Sequence, residues 1–314
     1  MGIFGSTFEA VATLLVLGLV GFWLVNRRVL AEAALGALSA LALDVALPSL
    51  VFTNIVSNFR PANFPGWWLL PLWWLGFTVF SGILTLLVVW TAAAPTRREF
   101  AVGLFYPNAI FVPLVIITEM KGGDSPLLTQ LFLLTIFFPA ALFNTVQCFF
   151  RGPCLPRNWR RVLNAVTLAT VAGILGVYAG LPARIPRFVI SGLTFMGHMT
   201  TPLLMIVLGG SIYLDSRGMG SARWGEVAKF VLIKNFFFPV AAIAALKVVP
   251  APPDVVFLLL LQAAVPPVTA LPALTAREGG NRGFVSQCLA ASFFVSLLSI
   301  PLMLWLLERC CAFR

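Results

Sequence analysis

The chain has 314 residues, 60% of them hydrophobic and 10% charged, with a mean hydropathy of +0.98 and a formal net charge of +10. That balance excludes an ordinary soluble domain, and the basic excess reads as loop charge that sets membrane topology rather than as a nucleic-acid surface. One histidine, and five cysteines (Cys148, Cys154, Cys288, Cys310 and Cys311) without ligand spacing, give no metal or cofactor motif, and the odd number of cysteines gives no disulfide framework.

Ten apolar segments follow, at about 6–25, 33–57, 67–92, 99–118, 127–150, 162–180, 187–213, 225–247, 254–276 and 284–308. The fold class expected is an all-α integral membrane protein; a β-barrel would show short alternating segments instead. The first segment follows MGIFGSTFEA, which has no basic leader region, so it reads as a retained helix. The second carries Asp44, Ser49 and Asn54 around Pro48. The third opens on Trp67, Trp68, Trp73 and Trp74, an interfacial aromatic belt. The fourth contains YPNAIFVPLVIITE, Tyr106 to Glu119, and the fifth carries Asn144 and Gln147. Residues 151–161, RGPCLPRNWRR, form a short polar linker between the halves. The seventh segment holds His198, the eighth Lys234 and Asn235, and the ninth VPPVTALPALTARE, Val265 to Glu278, preceded by Gln262.

Loop charge suggests the orientation. With the first loop in the cytoplasm, that side carries thirteen Lys and Arg, among them Arg27, Arg28, Arg97, Arg98, Arg277 and Arg282, against seven on the other side. Both termini are therefore expected outside. Lys234 is the one basic residue left within a segment.

The halves repeat. A shift of 159 brings Pro107 onto Pro266, Pro113 onto Pro272 and Glu119 onto Glu278; a shift of 154 brings Pro48 onto Pro202 and Asp44 onto His198. Five helices per repeat is odd, so the second half is inserted upside down, the architecture of many secondary transporters. Each fourth segment of a repeat holds two prolines six residues apart. A helix broken there exposes backbone that is tolerated at membrane depth only in protein or beside a wet cavity, and the half-helix N-termini favour an anion. The alternative is a pair of kinks that only shape packing.

LQAAVPPVTALPALTAREGGNRGFVSQCLAASFFVSLLSIPLM resembles the last two helices of auxin efflux carrier family transporters. ALPSLVFTNI resembles their second helix, YPNAIFVPL their fourth and LIKNFFFPVAA their eighth. The resemblance implies ten helices in two inverted repeats, 1–150 and 162–314, with helices 4 and 9 crossing. It implies a scaffold of helices 1, 2, 6 and 7, a transport domain of helices 3–5 and 8–10, an elevator motion, a homodimer through the scaffold, and small carboxylates as substrates. Plant members carry a long central loop; the short one here points to a bacterial cytoplasmic membrane.

The candidate substrate residues are Pro107, Asn108, Pro113, Pro266, Pro267, Thr269, Lys234, Asn144, Gln147 and Ser49. The prolines shape the site and the amides and hydroxyls orient a ligand. Lys234 either attracts the substrate carboxylate, or pairs structurally or snorkels towards an interface. Asp44 and His198 form a candidate proton relay, or else a structural pair. Partners expected are a small organic anion and bilayer lipid, with no nucleic acid and no cofactor. An intramembrane enzyme would need clustered carboxylates or a nucleophile–base pair, which one deep acid and one histidine do not supply. A passive anion channel and a sodium-coupled bile-acid-type symporter of the same architecture remain as alternatives.

Overall fold

The computed structural model describes residues 3–123, 125–151, 165–217 and 224–310, and nearly all of them are helical. Most of the 151–161 linker, Cys154 and Cys311 lie outside the described residues. Twelve helices carry the argument. They are α1 (Ile3–Asn26), α2 (Glu32–Asn58), α3 (Trp67–Thr91), α4 (Arg97–Phe105), α5 (Phe111–Lys121) and α6 (Pro126–Thr145) in the first half. The second half has α7 (Ala165–Tyr178), α8 (Arg187–Leu214), α9 (Trp224–Val248), α10 (Pro253–Ala264), α11 (Leu271–Arg277) and α12 (Arg282–Cys310).

Seven of these, α1, α2, α3, α6, α8, α9 and α12, are long and apolar enough to cross a membrane. Their large apolar side chains stay exposed on outward faces, for example Leu72, Leu86, Phe188 and Phe195. In water that surface would be a liability; in a bilayer it meets hydrocarbon at no cost. The fourth apolar segment of the sequence is two helices, α4 and α5, and the ninth is α10 and α11.

Prolines explain the irregular turns. Pro48 has no N–H, so the carbonyl of Asp44 four residues earlier loses its helical donor. The chain widens there to a π-helical turn, Leu41–Ala46, and Leu47 N–H bonds back five residues to Ala42. Pro239 acts in the same way on α9, where Ile233–Phe237 is π-helical and Phe238 N–H reaches Ile233. Such single-turn bulges spare the rest of the helix.

Packing gives two sets of helices that also meet each other, since α1 packs on α5 and α12 as well as on α8. α1 lies along the second half of α8, and α2 packs against α7 and α8. In the other group α3 packs on α4, α6 and α10, while α12 packs on α9, α10 and α11. The α1–α8 seam is backbone against backbone. A Cβ added at Gly209 would collide with the Gly18 carbonyl, and one at Gly21 would collide with Ile206. Only glycine permits that approach.

Candidate functional site

The two interrupted segments meet at their breaks. Val268 N–H donates to the Tyr106 carbonyl at 3.0 Å and Asn108 N–H donates to the Pro266 carbonyl at 2.8 Å. Pro107 and Pro267 face each other between these bonds as an isolated antiparallel bridge. In an antiparallel ladder this is the position whose N–H groups are not used between the strands, so neither proline leaves a bond unmade. The other prolines are placed equally cheaply. Pro113 is the third residue of α5 and Pro272 the second of α11, where an N–H has no intrahelical acceptor.

The bridge pairs residue 107 with residue 267, and α5 and α11 restart at 111 and 271. The backbone equivalence at the breaks is thus a shift of 160, one more than the shift that aligns the most prolines. Gln262 of α10 braces the junction, its side-chain nitrogen donating to the Ala109 carbonyl at 2.8 Å, fully buried.

A cavity of about 360 Å³ opens beside this junction. One wall is Ser39, Leu43, Asp44 and Leu47 of α2 with Leu204 and Leu208 of α8. The other comprises Asn108 and Ile110 at the first break, Phe138 and Leu142 of α6, Thr269 at the second break, and Arg282 and Ser286 of α12. The cavity therefore lies between the two packing groups. Its size suits a small ligand, and its lining is mostly apolar with a few polar groups, the usual composition of a binding pocket.

Asn108 is the central polar group. Its Oδ1 accepts from Phe111 N–H at 3.3 Å, holding the first turn of α5. Its Nδ2 is buried and has no hydrogen-bond partner among the described residues. A buried amide donor left unpaired costs about 1–3 kcal/mol, and that cost is recovered when a ligand oxygen accepts from it.

The remaining sequence candidates separate. Asp44 and Thr269 are on the cavity wall, whereas Pro107, Pro266 and Pro267 build the buried junction. Ser49 bonds its own helix at the Val45 carbonyl and is not on the wall. Asn144 and Gln147 likewise bond locally, to the Ala140 and Asn144 carbonyls. His198 is exposed and does not line the cavity, although the first part of α8, which it ends, packs on the turn that carries Asp44. Lys234 is buried at 1% exposure, not on the wall, with its ammonium 5.2 Å from the centre of the Phe238 ring. Its neighbour Asn235 joins α9 to α12, donating to the Ser292 carbonyl at 3.0 Å and accepting from Ser292 Oγ at 2.6 Å.

Arg282 and Ser286 were not singled out by the sequence, which gave Arg282 only as loop charge. The available signal was their spacing of four residues at the start of α12, which puts both on one helix face. Glu99 fixes that start: its carboxylate accepts from Asn281 N–H at 2.8 Å, and Asn281 in turn accepts from Phe284 N–H at 3.0 Å, capping α12.

A family of membrane transport proteins matches residues 6–150 and 157–304, nearly the whole chain. The chain belongs to that family. The family is the auxin efflux carrier group that the motifs resemble, so this is an integral membrane transporter. A search of curated proteins finds no match.

Proposed function

We propose that this family member is a secondary transporter of a small organic anion, with the cavity beside the two breaks as its substrate site. The observation that carries the reading is the place of Asn108 at the first break and on the cavity wall, with an Nδ2 donor that is unpaired among the described residues and closed to water in this conformation. A carboxylate or carbonyl oxygen satisfies it; a cation does not. The first turn of α5, which starts beside Asn108, adds the positive end of a helix dipole.

In this reading ten segments cross the membrane as two inverted five-helix repeats, with the fourth and ninth crossing at the breaks. α1, α2, α7 and α8 form a fixed scaffold through which two copies pair as a homodimer. The other helices carry the substrate as an elevator. The glycine seam between α1 and α8 supports a fixed body, and the place of the cavity between the two groups supports movement of one against the other. Both termini lie outside, in a bacterial cytoplasmic membrane, following the loop charge. The cavity is lined by the first halves of α2 and α12 and the second halves of α6 and α8, so its mouth faces the cytoplasmic loops.

The test is reconstitution in liposomes with transient currents recorded on adding mono- and dicarboxylates, with and without sodium. A saturable, sodium-independent current that is abolished in Asn108→Ala and Asn108→Asp supports the reading, because Asp keeps the shape and removes the donor. Silence with every carboxylate sinks it, and an absolute need for sodium moves the protein to the bile-acid-type alternative.

A further inference from the structure

The cavity carries two charged side chains, on opposite walls. Arg282 is the first residue of α12, in the helix group with the breaks, and Asp44 sits in the π turn of α2, in the other group. The other described residues that line it are uncharged. We propose that this pair sets the charge of the cargo: Arg282 binds one carboxylate, and Asp44 excludes a second. The inference rests on the anion-carrier reading above.

Several observations support the roles. Arg282 is exposed at the mouth, while Ser286, one turn further along the same face, is buried at 2% exposure and lines the wall deeper in. A guanidinium with a hydroxyl one turn below offers planar, charge-assisted donors to a carboxylate. The backbone of Arg282 is held in place by the Asn281 cap and by Glu99, so its position does not drift with the loop before it. Asn108 lines the same cavity from the break, which adds an amide to this wall.

The opposite wall is different. Beyond Asp44 and Ser39, α2 offers Leu43 and Leu47, and α8 offers Leu204, Val207, Leu208 and Ile212 with one hydroxyl, Ser211. An apolar body is at home there. A second carboxylate is not, because it loses water against leucine and meets the like charge of Asp44, which is exposed at this edge of the cavity. Rejection by an opposing like charge is an ordinary source of specificity. Asp44 is placed for this by Pro48, whose missing N–H opens the π turn; a regular helix would turn the side chain to another bearing.

The experiment is counterflow in liposomes with a series of equal-length substrates: a monocarboxylate, the matching dicarboxylate and the neutral amide. The expected result for Arg282→Gln is a KM for the monocarboxylate raised about tenfold or more with a smaller change in maximal rate, and partial recovery in Arg282→Lys. For Asp44→Asn the expected result is a monocarboxylate KM within about twofold of the parent and a dicarboxylate KM lowered about tenfold. An unchanged dicarboxylate-to-monocarboxylate ratio in Asp44→Asn overturns the exclusion role. An unchanged KM in Arg282→Gln overturns the binding role. If Asp44→Asn and Arg282→Gln impair the monocarboxylate equally, the two residues pair with each other and the selectivity proposal falls. A parent protein that moves no carboxylate defeats the carrier reading itself, which separates that failure from the others.

Discussion

Replacing Gly209 by alanine tests whether α1 and α8 are a fixed seam. The added Cβ would meet the Gly18 carbonyl oxygen, lie 2.7 Å from the Gly18 carbonyl carbon, and lie 2.9 Å from Phe22 N. Carbon atoms in contact rest about 3.5–4.0 Å apart, so the helices must separate by roughly 1 Å. Forced separation of this kind costs about 1–3 kcal/mol. Alanine also favours the helix over glycine by about 1 kcal/mol, which partly masks the loss. The control is Gly76→Ala on α3, where an added Cβ meets nothing within 4 Å. It shares the helix-propensity gain without the clash. The difference between the two variants in equilibrium unfolding in detergent isolates the steric term, and we expect about 1–3 kcal/mol against Gly209→Ala. A difference below about 0.5 kcal/mol would refute backbone contact at this seam, since surface-like substitutions fall in that range.

The side away from the cavity mouth is tied across the two helix groups: Asn54 of α2 accepts from Thr129 Oγ1 of α6 at 2.8 Å and donates to the Gly123 carbonyl at 3.4 Å. Thr129→Val keeps the shape and leaves a buried acceptor unpaired, which weakens closure there by about 1–3 kcal/mol. Spin labels at Ser57 and Lys121, both exposed, should then show a longer-distance population; an unchanged distribution would mean that the tie does not govern closure. Lys234→Met should raise the unfolding temperature, because it removes a buried charge that has an aromatic face but, among the described residues, no ion-pair partner. It should also leave transport intact, since Lys234 is off the cavity wall, and loss of transport in a stable variant would return that charge to the mechanism.

Composition and proline spacing made the class of fold legible, and the reasons are local. Long apolar runs have few alternatives in a bilayer, and Pro107 and Pro267 mark a break because no helix interior tolerates them well. Asn108 stands out for the same reason, as an amide beside a break. Lys234 lies off the cavity wall. A charge in an apolar run stands out in sequence, but which way it faces depends on the packing of α9 against α12. Arg282 was hidden by the opposite effect, a charge at a segment end that looks like topology until α12 is seen to begin at the cavity. Gln262 and Glu99 act on backbone groups more than 150 residues away, at Ala109 and Asn281, and no local pattern announces such contacts.

The proline pair at the junction also restricts how the sequence can change. Pro107 and Pro267 can oppose each other only because the bonds fall on their neighbours. Deleting one residue from either break would slide the ladder by one position and place a proline where a donor is required. Two backbone bonds would then be lost in a buried place, at a site where the helices on both sides already start and stop. A change of length inside either break is therefore expected to cost these two bonds. The two halves of the chain, read from different strands of the same junction, keep a common count.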